Sequence, residues 1–355
     1  MTAALSRIVE TGVPSRTRPI VWFFVIASAI PMLIVLSIAF APGFWDWMYG
    51  RPFVYEDASL EAAQRLGYDH VSTNLVERVP AAFLEPVLWM PLIYAGAPTI
   101  AAIIVICLLG QRGALRSYLS RFNPLRGSAP IGRLLGYYAL LIACVLAIRF
   151  GLSLTLGVSL IDWTGLFSIS AVYAFVAYAF VDQGGLLEEC GWRGFALPYL
   201  QGAMSTPLGA SVLLGLIWSF WHIPRDLLQW DDTVWAFISE YGLFTIGTVT
   251  MSIVITFFFN KLNGSLWPAV MFHGLINQTF DVRDRFEATS DYSQVLGHTL
   301  PSLAIYGGVA VLALVLLAVS GPRLGLPKAE IGAAADSSAS IGPRAELSSP
   351  EGRSA

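Results

Sequence analysis

Gly165-Leu-Phe-Ser-Ile-Ser-Ala-Val-Tyr-Ala-Phe-Val-Ala-Tyr-Ala-Phe-Val181 is an uncharged, mostly apolar run, and shortly after it the chain reads Gly185-Leu-Leu-Glu188-Glu189-Cys-Gly-Trp-Arg193-Gly-Phe-Ala. The first stretch suits the roughly 30 Å hydrocarbon layer of a bilayer. The second continues it with two adjacent carboxylates and an arginine. Each ionisable group at the centre of a membrane helix costs about 2.5 to 3.5 kcal/mol on insertion scales, so such groups are functional signals by default. Read together, the two stretches predict an α-helical membrane protein with a polar site inside it.

The rest of the chain agrees. Of 355 residues, 55% are hydrophobic and 13% charged, about half the charge that a soluble surface carries. Runs able to span lie near Ile20 to Phe40, Val87 to Gly110, Leu134 to Ile148, Gly165 to Val181, Pro207 to Trp221, Leu243 to Phe259, Ser265 to Phe280 and Leu300 to Ser320. The seventh is the weakest, with Pro268, His273 and Asn277 inside it. The expected fold is all-α, a polytopic bundle of eight transmembrane helices. Soluble enzyme folds and disordered proteins are excluded, and a net charge of −3 leaves no basic surface for nucleic acid. Cys107, Cys144 and Cys190 have neither disulfide-framework nor metal-ligand spacing.

Connection charges orient the bundle. Arg7, Arg16 and Arg18 precede the first span, and Arg112, Arg116, Arg121, Arg126 and Arg133 stand between the second and third with no acid among them. Both segments are expected on the cytoplasmic side. The 41–86 connection carries Asp46, Glu56, Asp57, Glu61, Asp69, Glu77 and Glu85 against three arginines and is expected outside. Alternation then continues to Arg323 and Lys328 inside, which fits an even number of spans. The first span is too long for a secretory signal core and reads as an uncleaved anchor. Within 41–86, Asp57 to Gly67 has the pattern of a short amphipathic helix closed by glycine. The resulting organisation is a cytoplasmic segment over 1–19, three spans over 20–158 with the 41–86 loop outside, a catalytic core over 159–320, and a disordered cytoplasmic tail over 321–355.

Polar residues inside the spans cluster in the second half. The fifth span ends Trp218-Ser-Phe-Trp-His222-Ile-Pro, and the seventh holds His273-Gly-Leu-Ile-Asn277. Helical spacing assigns their faces. Glu189 and Arg193 are four apart and can neutralise each other, whereas Glu188 points about 100° away. His273 and Asn277 share a face, as do Trp218 and His222 with the small residues Ser211 and Gly215, which would admit a neighbouring helix. At 1.5 Å per residue, Glu188 lies roughly 21 Å and His222 roughly 30 Å from the turn near Gly202, and His273 roughly 15 Å above the Asn263-Gly264 turn, so all three can share one layer.

A carboxylate, two imidazoles and a carboxamide in a dry site suit attack of water on a carbonyl. Glu188 would accept the proton of a water held by His222, and His273 and Asn277 would donate to the oxyanion. A zinc ion held by Glu188, His222 and His273 is the alternative, with a position left for water. The signatures of other hydrolase sites, His-Glu-x-x-His and Gly-x-Ser-x-Gly, do not occur.

Glu188-Glu189-x-x-x-Arg193, then Trp218-x-x-x-His222, then His273-x-x-x-Asn277, on successive helices, resembles the motif set of the CPBP family of intramembrane proteases. That family includes type II CAAX prenyl endopeptidases and bacterial relatives linked to bacteriocin processing or immunity. The resemblance covers about residues 160 to 280. It implies an eight-helix bundle in a bacterial inner membrane with both termini cytoplasmic and a site open to the cytoplasm. It also implies a membrane-embedded or lipid-anchored polypeptide as substrate. Carried over by position, Glu188 is the water-activating base, His222 its partner, and His273 and Asn277 the oxyanion donors, with Glu189, Arg193 and Trp218 in support. Trp218 stands where the family usually has phenylalanine. Two readings of other classes compete: a non-catalytic membrane scaffold or immunity protein, and a proton-coupled transporter, which would show two related halves.

Overall fold

A computed structural model describes residues 18–40, 42–49, 54–68, 70–109, 113–127, 129–157, 168–228, 234–289 and 299–326. Residues 1–17 of the expected N-terminal segment and 327–355 of the expected 321–355 tail lie outside the described residues, whereas Gly321–Arg323 forms a 3-10 turn and Leu324 is fully buried, its carbonyl accepting from Asn260 Nδ2 at 3.0 Å. Each of the eight apolar runs is carried by one helix: α1 (Arg18–Phe40), α2 (Trp89–Leu109), α3 (Ile131–Leu156), α4 (Ile169–Val181), α5 (Pro207–Leu228), α6 (Val234–Lys261), α7 (Trp267–Thr289) and α8 (Thr299–Ser320). Among the described residues six of them, α1, α2, α3, α5, α6 and α8, are long and apolar enough to cross a membrane. α4 has the composition but only 13 residues. α7 has the length but carries the polar motif. The protein is thus a polytopic, all-α membrane protein.

The fourth helix is short because Asp182 interrupts it. Asp182 takes an extended backbone, ψ 140°, and its carboxylate accepts from the Gly185 N–H, so it ends α4 and caps the next turn. The chain then runs on to Ala203 as two wide π-helical turns, Gln183–Glu188 and Trp192–Ala196, linked by Glu189–Gly191 and closed by Leu197–Ala203. The helix therefore does continue through the glutamate pair. Its break falls at Asp182, two residues before the glycines. A wide turn frees carbonyls, and the Thr99 hydroxyl of α2 takes up that of Leu187.

Small residues let the motif-bearing helices approach closely. A Cβ at Gly215 would lie 2.6 Å from Val249 Cα of α6. One turn earlier, Ser252 Oγ donates to Ser211 O at 2.9 Å. Gly191 meets the backbone of Pro98 in the same way, seating the motif segment on α2. Around these contacts lies one continuous core including Phe23, Trp192, Trp221, Phe258 and Phe272. Trp221 Nε1 donates to Ala27 O of α1, and Tyr94 of α2 donates to Trp221 O, both at 2.9 Å.

The acid-rich 41–86 connection is a small helical cap rather than an open loop. Its helices Pro42–Tyr49, Tyr55–Leu66 and Leu75–Leu84 enclose an alanine-rich core, Ala58, Ala62, Ala63, Ala81 and Ala82, which also takes in Leu187 of the motif segment. The second cap helix ends as its sequence predicts, on Gly67 in the left-handed region with φ 77°. On the opposite side the arginine-rich connection also packs inward. Leu266 N donates to Arg121 O at 2.8 Å, Trp267 Nε1 to Phe122 O at 2.7 Å, and Tyr118 abuts Gly194. Asp182, at the cap, and Gly194, at Tyr118, are separated by at most about 18 Å of helical rise. The glutamate pair lies between them, so both connections reach within a few turns of it.

Candidate active site

Trp218 is the centre of the polar cluster. Its indole N–H donates to Glu188 Oε2 at 2.8 Å. Its ring centroid lies 5.1 Å from that of His273 and 6.0 Å from that of His222, and Arg193 Cζ sits 4.7 Å from it over the ring. One side chain thereby neighbours Glu188, Arg193, His222 and His273. Glu188, His222 and His273 are each at most 7% exposed, and Glu189 and Arg193 are fully buried. The carboxylate that spacing leaves without an arginine has a neutral donor instead.

Both imidazoles have one defined edge. His222 Nδ1 lies 2.9 Å from Trp218 O, and a carbonyl can only accept, so Nδ1 carries the proton and Nε2 of the neutral ring keeps a lone pair. His273 Nδ1 lies 2.8 Å from Glu189 Oε1, which likewise fixes the proton on Nδ1. The same oxygen accepts from Arg193 Nη1 at 2.9 Å. Glu189 is therefore shared between an i,i+4 arginine and the histidine of another helix. Glu189 Oε2 and Arg193 Nε and Nη2 make no hydrogen bond to protein, so this ion pair is only half satisfied.

Two polar side-chain ends from α7 meet at Gly184. A Cβ placed on Gly184 would lie 2.8 Å from His273 Nε2 and 2.9 Å from Asn277 Nδ2. The two nitrogens therefore pack side by side against the bare face of one glycine, and a side chain at 184 would displace them. Asn277 also donates through Nδ2 to Asp182 Oδ1 at 2.9 Å, which engages one of its two amide protons.

Every candidate named from the sequence, Glu188, Glu189, Arg193, Trp218, His222, His273 and Asn277, belongs to this cluster. As a zinc site the set fits poorly. Among the described residues no three His, Cys, Asp or Glu side chains are grouped so as to hold a metal ion, and Glu188 Oε2 already faces the indole. No catalytic step is therefore routed through a metal. Two polar residues escape the sequence reading. Asp182 falls between the last apolar residue of the fourth run and the first glycine of the motif; an acid followed by Gln-Gly-Gly is a helix-start signal that would have found it. Arg149, one residue past the third run, donates from Nε to Thr279 at 2.9 Å and from Nη2 to Gln278 at 2.8 Å, pinning α3 to the back of α7.

A helical membrane bundle with a buried cluster that pairs a carboxylate with two imidazoles and an amide has the makings of an intramembrane hydrolase. Residues 170–279 match the family model described as type II CAAX prenyl endopeptidase Rce1-like. CAAX prenyl protease 2 of Methanococcus maripaludis is 30% identical over 193 residues, covering 51% of this chain and 67% of that protein. The chain belongs to the Rce1-like type II CAAX prenyl endopeptidase family. It is an intramembrane endopeptidase, a hydrolase acting on membrane-associated polypeptides.

Proposed function

We propose that the protein cleaves a peptide bond near the C-terminus of a lipid-anchored, CAAX-type polypeptide by a glutamate-activated water, without a metal in the step. The CAAX specificity rests on the relative's description as a prenyl protease. The mechanism rests on the buried cluster in which Glu188 is held by Trp218 and two nitrogens from α7, His273 Nε2 and Asn277 Nδ2, lie side by side against Gly184.

With Oε2 held by Trp218, the other oxygen of Glu188 accepts one proton of the attacking water, and the lone pair on His222 Nε2 accepts the second as a hydrogen bond. The water oxygen keeps a lone pair for the scissile carbonyl carbon. The developing oxyanion takes its hydrogen bonds from Asn277 Nδ2 and from His273 Nε2. Since Nδ1 already donates to Glu189, Nε2 can donate only from the imidazolium, and Glu189 is the counter-charge that holds that form in a buried site. As the C–N bond breaks, Glu188 returns the proton to the leaving amine. Protons and charge balance: water supplies hydroxyl to the new acid and a proton to the new amine.

Orientation with the arginine-rich 111–133 connection in the cytoplasm belongs to the same proposal, as does a bacterial inner membrane. Incubation of the purified protein with a farnesylated peptide ending in Cys-aliphatic-aliphatic-X, followed by mass spectrometry, tests the function. Release of the C-terminal tripeptide is expected. Cleavage elsewhere in the peptide, with the tripeptide left attached, would contradict the CAAX reading.

A further inference from the structure

We propose that Asp182 is a positioning residue for Asn277, and that Thr73 makes the 41–86 cap part of the apparatus holding the substrate carbonyl; this rests on the reading of Asn277 as a carbonyl donor. Asp182 is fully buried, and none of the ion pairs among the described residues involves it. Capping Gly185 alone would need one neutral acceptor, which asparagine or serine supplies without the cost of burying a charge.

Its other two bonds give Asp182 a second task. Oδ1 accepts from Asn277 Nδ2 at 2.9 Å as well as from Gly185 N at 2.7 Å, and Oδ2 accepts from Thr73 Oγ1 at 2.7 Å. A carboxamide can turn over and present either its oxygen or its nitrogen, and Oδ1, which already accepts from the Gly185 N–H, faces it as an acceptor. Asp182 therefore admits one orientation of Asn277, the one that leaves an amide proton rather than a carbonyl oxygen toward Gly184. Turned over, Asn277 would set oxygen against oxygen.

Thr73 fixes Asp182 in turn, and the cap backbone reinforces it. Gln183 N donates to Thr73 O at 2.9 Å, and Asn74 bridges to Asp182. The chain of contacts runs from a connection outside the bundle, through one hydroxyl and one carboxylate, to the amide on α7.

The test is steady-state cleavage of the farnesylated peptide by the full chain in detergent. Thr73→Val should lower kcat about three- to tenfold with KM within about twofold, Thr73→Ser should restore the wild-type value, and Asp182→Ala, which removes the acceptor, should cost about ten- to a hundredfold in kcat. In an Asn277→Ala background Thr73→Val should change nothing further, because the residue through which it acts is gone. Losses that multiply in the double variant, a Ser variant as slow as Val, or Asp182→Ala at the wild-type kcat would each overturn the proposal. Asn277→Ala at the wild-type rate would remove the carbonyl reading itself, and this inference with it. An Asp182 variant that does not fold leaves the Thr73 pair and the double variant to decide.

Discussion

Gly184→Ala separates folding from catalysis more sharply than any change to a charged residue. The added methyl would stand 2.8 Å from His273 Nε2 and 2.9 Å from Asn277 Nδ2, too close for either nitrogen to keep its place as an oxyanion donor. Both atoms are side-chain ends, so they can swing aside and the helices need not part. Alanine is also the better helix former, by about 0.8 to 1 kcal/mol over glycine in a helix interior, which offsets part of the strain. Losing one oxyanion donor costs about 10²- to 10³-fold in kcat. Displacing both should therefore cost at least about 10³-fold, with a melting temperature within about 3 °C of wild type. Detergent-solubilised enzyme assayed on the farnesylated peptide, with a thermal melt of the same sample, gives both numbers. Cleavage within about threefold of wild type, in a variant that melts normally, would refute the assignment of His273 and Asn277 as the oxyanion donors.

Other parts of the structure predict three further outcomes. Trp218→Phe keeps an aromatic ring for Arg193 and His273 to pack against but removes the donor to Glu188 Oε2, so kcat should fall about tenfold with little change in melting temperature; an unchanged kcat would count against a role for the indole. Arg193→Ala strands Glu189 with only His273 beside it, and breaking a buried pair in this way costs about 3 to 5 kcal/mol, which a large drop in melting temperature would register. In the cap, burial pushes the Glu77 carboxyl up, but hydrogen bonds from Asn74, Ser72 and Tyr173 outweigh it and hold the group below the usual carboxylate range. A depressed folded value stabilises the cap at neutral pH and is lost as pH falls through it, so hydrogen exchange in Leu75–Leu84 should accelerate below about pH 4 in wild type and show no such step in Glu77→Gln.

The sequence makes the bundle legible because lipid solvation leaves a long-range signature, uninterrupted apolar runs, that needs no knowledge of tertiary contacts. Local spacing is equally readable. The Glu189–Arg193 pair, the common face of His273 and Asn277, the close approach at Ser211 and Gly215, and the helix closed by Gly67 are all contacts within one element or its small-residue face. What periodicity does not carry is which faces of distant elements meet. The Trp218 indole reaches a glutamate thirty positions away, and Thr73 reaches a carboxylate more than a hundred positions away. The wide turns at Gln183–Glu188 and Trp192–Ala196 are hidden for a different reason: they arise from packing against α2 and the cap, and ordinary α spacing fits the same residues. Asp182 is hidden by its place at a boundary, one residue past an apolar run.

The central claim is that Glu188 takes the proton from water, and the isosteric variant Glu188→Gln tests it most directly. It can still accept the Trp218 hydrogen bond, so the site should keep its shape and the protein its melting temperature. Cleavage of the farnesylated peptide should fall by about 10²- to 10⁴-fold, the range a positioned general base contributes. A folded Glu188→Gln protein that cleaves at the wild-type rate would contradict the account.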